Sequence, residues 1–265
     1  MTFAQIVLVS VGNTRTRIAP VVAGALQPSR VVVNADADGA AGLANRVKDA
    51  TSGDISATVM VASVNEAVAE PLCDALRADG RRVIRVTSGG SGLSVPIKSD
   101  VEVPAKVGVD RLLAALGAYS RSSQACVVID AGTAVTVDFV DEKGTFRGGA
   151  IAPGLAMMLR SMHEHTAALP LIELKEGQPL ATGTGPLGKN TQHAMALGCI
   201  AALQGMTHVL IEQYAEVAGG YPRVVATGGD AARIFEHDDL VEHIVPDLVL
   251  VGMHAAFDST AATSA

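Results

Sequence analysis

Apolar and polar positions fall along this chain in blocks of changing period, and the blocks come round twice. A largely apolar run over residues 5–11 reads as a buried strand and stops at Gly12-Asn13. A period-two stretch follows at 15–22, then a turn around Gly24 and a third strand at 30–34. Helical spacing takes over at 40–50 and 65–78, the second closed by Gly80, with strands at 58–64 and 82–87. The Ser/Gly cluster from Ser88 to Gly92 is the most linker-like loop of the first half.

The sequence then starts over. Residues 107–120 read as a helix with Leu112, Leu113, Leu116 and Tyr119 on one face. A buried-type strand at 126–131 breaks at Gly132-Thr133, alternation resumes over 134–141, and a third strand follows the turn Glu142-Lys143-Gly144. Pro153-Gly154 opens a helix expected to reach about residue 169. A long helical stretch follows Asn190, a strand ends in Ala226-Thr227-Gly228-Gly229, and a last helix covers 248 to about 257. Val9-Ser10-Val11-Gly12-Asn13-Thr14 and Ile129-Asp130-Ala131-Gly132-Thr133 each end the first strand of such a series. Three strands followed by helices, twice, predict an α/β chain of two similar lobes with mixed sheets facing one another, divided as 1–115 and 116–265.

Composition narrows the function classes. With 265 residues, 49% hydrophobic and 18% charged, the chain can build a full core and is not a disordered or coiled-coil protein. Its 20 basic and 27 acidic residues, with no Trp, argue against a nucleic-acid partner held by charge or base stacking. No apolar run is expected to reach the roughly 18 residues of a membrane span. Cys73, Cys126 and Cys199 are too scattered for a disulfide frame or a zinc knuckle, so a cytoplasmic protein with buried thiols is expected.

A strand that ends in a tight Gly-Thr turn has a chemical use. Glycine lets backbone N–H groups close on a phosphate, the hydroxyl adds a donor, and an Asp at the strand end can hold a cation. Two such turns could share one polyphosphate. His163 and His165, two apart on a helix, point away from each other and read as surface residues.

Seven blocks, in order, carry a resemblance: Val11-Gly12-Asn13-Thr14, Gly108-Val109-Asp110-Arg111, Asp130-Ala131-Gly132-Thr133-Ala134, Gly148-Gly149-Ala150-Ile151-Ala152-Pro153-Gly154, His165-Thr166-Ala167-Ala168-Leu169-Pro170, Gly188-Lys189-Asn190-Thr191 and Ala226-Thr227-Gly228-Gly229. Over nearly its whole length the chain resembles type III pantothenate kinases, of the sugar kinase/heat-shock ATPase/actin superfamily. That resemblance implies a duplicated ribonuclease-H-like (actin-like ATPase) fold, which agrees with the repeat. It also implies ATP-dependent phosphorylation of pantothenate to 4'-phosphopantothenate, the opening step of coenzyme A synthesis, by a homodimer. Asp110 matches the catalytic base, and Gly108, Val109, Asp110, Arg111 and Thr191 match the substrate contacts. Ser10, Gly12, Asn13, Thr14, Arg17, Gly132, Thr133, Gly228 and Gly229 match the ATP site. Asp130 matches the ligand of a monovalent cation, potassium or ammonium, with Mg2+ accompanying ATP. At a helix start beside Arg111, Asp110 is expected to have a lowered pKa. Arg15 and Arg17 share one face of a strand, from which one could reach a phosphate, and Thr191 could equally be a helix cap.

Two positions depart from the family pattern. Ser10 stands where the family has an Asp, as the second repeat does at Asp130, and a hydroxyl is a poor magnesium ligand. Val101-Glu102-Val103-Pro104 lacks the tyrosine of a Tyr-x-Pro segment that touches pantothenate. The resemblance therefore leaves three expectations: a working pantothenate kinase, a weakened paralogue that binds nucleotide or pantothenate-like ligands with little turnover, or a kinase of the same superfamily acting on another small alcohol. Glu173 to Gln178 and Gly183 to Gly188 are expected to form a loop over the substrate region.

Overall fold

A computed structural model describes residues 6–174 and 185–263 of the chain, so part of the expected substrate loop lies outside the described residues. Two compact units emerge, Met1–Ser122 with Asp247–Ala265, and Ser123–Pro246. The sequence places the division at 115/116 and gives the C-terminus to the second lobe. The chain instead crosses over after residue 122 and returns for its last helix.

The first unit is a mixed sheet. Strands β1 (Ile6–Val11), β2 (Arg15–Val22), β3 (Ala25–Leu26), β4 (Arg30–Val33), β5 (Thr58–Ser63), β6 (Val83–Thr87) and β7 (Leu93–Ser94) run in the order β3-β2-β1-β5-β6-β7, with β4 also paired to β2. The two-residue strand β8 (Lys98–Ser99) comes next in the chain. The hairpin β1–β2 is antiparallel, and β5 and β6 add in parallel. Period two sorts the faces. Val7, Val9, Val11 and Ile18 pack into a core with Leu43 and Val47 of α1 (Gly39–Ala50) and Leu72 and Leu76 of α2 (Glu66–Ala78). Leu8, Ser10, Arg17 and Ala19 point the other way, as their pairing Leu8↔Ala19 and Ser10↔Arg17 requires. The Ser88–Gly92 loop only joins β6 to β7 and marks no boundary.

Two further helices complete this unit, α3 (Val109–Ser122) and the last helix, residues 248–263. They touch at backbone level. A Cβ on Gly252 would lie 1.8 Å from the Leu113 carbonyl oxygen, and one on Gly117 would lie 2.6 Å from that of Leu248. Only glycine at both positions allows so close an approach.

The second unit repeats the plan. Strands β9 (Cys126–Ala131), β10 (Ala134–Val140) and β11 (Thr145–Pro153) form an antiparallel meander. After α4 (Leu155–Glu164) and α5 (Thr191–Ala218), β12 (Arg223–Thr227) pairs with β9 in parallel. Then α6 (Ala231–Phe235) leads to β13 (His243–Ile244), which pairs with β12 in parallel, and the chain ends in α7 (Leu248–Thr263). An antiparallel hairpin with a later parallel neighbour on its first strand thus occurs in both units, as the repeat predicts.

Two elements differ from expectation. Helix α4 stops at Glu164 because Thr166 Oγ1 donates to the Met162 carbonyl at 2.7 Å and accepts from Leu169 N–H at 3.3 Å, replacing the next helical turn. Helix α5 carries an 18-residue stretch of mean hydropathy 1.7, long and apolar enough to cross a membrane by length and composition, with a third of it buried. The expectation that no apolar run reaches that length is therefore corrected: residues 194–211 hold no Asp, Glu, Lys or Arg. Met195, Cys199, Leu203 and Ile211 of this helix pack into the core of the second unit.

Candidate active site

Each unit ends its first strand in a tight turn that opens on a glycine. In the first, Gly12 N–H donates to the Arg15 carbonyl at 2.9 Å, leaving Asn13 and Thr14 exposed at the tip. Asn34 holds this turn from the side. Its Nδ2 donates to the Gly12 carbonyl at 2.9 Å, and its Oδ1 accepts from buried Thr16 Oγ1 at 2.8 Å. Asn65 Nδ2 reaches the Asn13 carbonyl at 3.4 Å. The sequence reading does not single out Asn34 or Asn65. No local spacing reveals them, because they come from the ends of other strands.

The strand behind the turn pairs Ser10 with Arg17. The Arg17 guanidinium bonds Asp247 Oδ1 at 3.0 Å, and Ser29 Oγ donates to the same oxygen at 2.7 Å. Arg17, expected at the ATP phosphates, is thus held by a carboxylate just before α7.

In the second unit the turn is one residue tighter, with Gly132 N–H donating to the Ala134 carbonyl at 3.0 Å. Asp130 pairs with Thr136 on β10 and with Thr227 on β12. The Thr136 hydroxyl is buried and has no hydrogen-bond partner. Glycines let three segments converge here. A Cβ on Gly228, whose φ is +96°, would sit 2.3 Å from the Ala131 carbonyl oxygen and 2.6 Å from Asp130 Oδ1. One on Gly154 would sit 2.2 Å from the Gly132 carbonyl oxygen. Asp230 N–H closes the arrangement on the Ala131 carbonyl at 2.9 Å. Asp130, Gly132, Thr133 and Gly228 therefore belong to one cluster, with Gly229 exposed beside it. Among the described residues, no group of three or more His, Cys, Asp or Glu gathers as a metal centre.

Asp110 sits in the first turn of α3, its Oδ1 accepting from Arg111 N–H at 2.8 Å. Gly108 leaves room for that oxygen, since a Cβ there would lie 2.6 Å away. The expected lowering of its pKa is corrected. Burial pushes the Asp110 carboxyl above its ordinary value, outweighing the Arg111 amide and the Arg111 charge, which pull it down. Desolvation of the charged form is the larger effect. A carboxylate raised in this way is a stronger base once ionised. Val109 is 6% exposed and sends its side chain into the core.

Thr191 is exposed at the start of α5, and the helix cap is Asn190, whose Oδ1 accepts from His193 N–H at 2.8 Å. The alternative reading of Thr191 as the cap thus gives way to its neighbour. His163 and His165 are both exposed, and His163 Nδ1 bonds the Leu169 carbonyl at 2.8 Å. All three cysteines are free and buried.

Comparison with known proteins gives the chain a family. The sequence profile described as type III pantothenate kinase matches residues 6–213. A type III pantothenate kinase of Akkermansia muciniphila is 33% identical over 94% of this chain and 96% of its own length. One from Rhodopirellula baltica is 42% identical over 67% of this chain, an alignment spanning 63% of that relative. Among solved structures, a Baf family transcriptional activator from Campylobacter jejuni aligns at TM-score 0.57 and 17% identity, covering 97% of this chain and 99% of that one. The (R)-2-hydroxyglutaryl-CoA dehydratase component A of Acidaminococcus fermentans aligns at 0.53 and 15%, covering 96% of each chain. At such identities these likenesses establish the fold alone, a duplicated ribonuclease-H-like α/β architecture with two mixed sheets. With the profile covering most of its length and that fold beneath it, the chain belongs to the type III pantothenate kinase family.

Proposed function

We propose that this chain phosphorylates pantothenate with ATP, forming 4'-phosphopantothenate at the entry to coenzyme A synthesis. The observation that carries this reading is the helix start Gly108-Val109-Asp110-Arg111. A carboxylate made more basic by burial stands there in a family whose members transfer phosphate to an alcohol. In the reaction Asp110 takes the proton of the pantothenate hydroxyl, with Gly108 and Arg111 beside it and Thr191 as a further contact. Most of the acceleration comes from positioning and charge rather than from the base, because phosphoryl transfer passes through a loose transition state. The turns at Gly12-Asn13-Thr14 and Gly132-Thr133, with Gly228 and Gly229, take the nucleotide.

A monovalent cation, potassium or ammonium, suits the second turn. The Asp130 carboxylate and the cross-strand Thr136 hydroxyl, buried without a partner, are oxygen donors of the right kind for it. Mg2+ arrives with ATP. The chain works as a homodimer through α5. Gly198, Ala201, Ala202, Gly205 and Val209 recur at helical spacing on its exposed side, and Val209 is 57% exposed. At Gly198 and Gly205 even an added Cβ would meet nothing within 4 Å, which leaves that face smooth enough for a second helix. The hydropathy of α5 thus serves a core and a subunit face, not a membrane, and buried free thiols suit the cytoplasm.

The test is pantothenate-dependent release of ADP by the purified chain, with potassium or ammonium and without either, for the native protein and Ser10→Asp. Turnover by the native chain that rises with the cation is the expected result. Turnover by Ser10→Asp alone would identify a weakened paralogue instead.

A further inference from the structure

The two phosphate turns carry opposite charge. In the second unit the strand-end position is Asp130 and its cross-strand neighbour is Thr136, an acid beside a hydroxyl. In the first unit the equivalent position is Ser10 and its neighbour is Arg17, a hydroxyl beside a guanidinium. Directly paired residues of an antiparallel hairpin share a sheet face about 5 Å apart. A divalent ion at the first turn would therefore meet no carboxylate at position 10 and would stand close to a fixed positive charge. Asp247 does not make up the loss, because its one negative charge is matched by the positive charge of Arg17, which it holds at 3.0 Å together with Ser29 at 2.7 Å, so the pair adds no net attraction for a divalent ion. The first turn does not fit magnesium.

We infer that Arg17 meets the nucleotide's phosphates at this turn directly, in the place of a carboxylate-held metal ion, with Asp247 as its counter-ion when no nucleotide is bound. This deepens the ATP reading above and rests on it. Arg17 and Asp247 are each partly open to solvent, with side chains 20% and 28% exposed. A pair so placed is held weakly and can be exchanged. A polyphosphate offers a guanidinium two parallel, charge-assisted hydrogen bonds and carries more charge than one carboxylate. The exposed tip of the turn, Asn13 and Thr14, lies nearby, and no covalent bond is made or broken in the exchange.

The test is calorimetric titration of the intact protein with a non-hydrolysable ATP analogue, in magnesium and in EDTA. The native chain is expected to lose less than about fivefold in affinity when magnesium is removed, a difference of under about 1 kcal/mol. Arg17→Gln should lose roughly tenfold or more in EDTA. Ser10→Asp should bind weakly in EDTA and recover in magnesium. Arg17→Lys, which keeps the charge without the fork, stands in if Arg17→Gln fails to fold, and should fall about threefold or more in EDTA. A native loss of about fivefold or more in EDTA overturns the inference, as does an Arg17→Gln protein (or Arg17→Lys in its place) that binds like the native one. Failure of the native chain to bind in either condition would instead remove the ATP reading itself.

Discussion

Gly228→Ala is the sharpest probe of the second glycine turn. The glycine sits at φ +96°, where a side chain is strained, a cost of about 1–3 kcal/mol. Its new methyl group would also lie 2.3 Å from the Ala131 carbonyl oxygen and 2.5 Å from the carbon, whereas ordinary contact begins near 3.4 Å. The obstacle is backbone at the end of β9, paired on both sides by β10 and β12, so it cannot swing aside like a flexible side chain. Moving it adds about 1–3 kcal/mol of overpacking. Together the substitution should cost about 2–6 kcal/mol by those two contributions. Urea unfolding measures it, with Gly220→Ala as control. A Cβ on Gly220 would meet nothing within 4 Å, and its change should stay within about 0.5 kcal/mol. Nucleotide affinity should fall in parallel, since the shift passes through Asp130 and Ala131. A Gly228→Ala protein within about 1 kcal/mol of native, with unchanged affinity, would refute the claim that this crossing requires glycine.

Other outcomes follow from single residues. Asp110→Asn should lower turnover by about 10² to 10⁴ and yet raise the melting temperature at pH 8. Because the folded carboxyl holds its proton more tightly than the unfolded one, its ionisation costs stability above the raised pKa. The cost disappears as pH falls below the ordinary value of 3.8, so the melting curves of the two proteins should converge there. Asn34→Ala removes the bonds to the Gly12 carbonyl and Thr16 and should cost about 1–3 kcal/mol, with weaker nucleotide binding in the same preparation. Thiol reagent at pH 8 should find Cys126 inert in the native protein, since burial pushes its pKa up to about 12, and reactive in urea.

The strands and both turns were legible because hydrophobic period and Gly-Thr breaks are local signals. The repeat of Ser10 against Asp130 needed only the sequence, and the register then explained it by setting Arg17 opposite one and Thr136 opposite the other. What the sequence could not show was non-local. Asn34 and Asp247 act on the first turn from 22 and 230 residues away along the chain. The sign of the Asp110 shift hung on how deeply the fold buries it, and the early end of α4 on where the Thr166 hydroxyl turns. The long uncharged run in α5 was visible in the letters, but periodicity reads it as one helix whatever its two sides meet.

The crossing of Gly117 and Gly252 has a consequence for synthesis. As the nascent chain leaves the ribosome, the first lobe emerges lacking its final helix, which follows more than a hundred residues later. The second lobe is uninterrupted in the chain and can close as soon as Pro246 is out. Helix α3 must wait through that interval with its glycine notch open, so the N-terminal lobe matures last although it is made first.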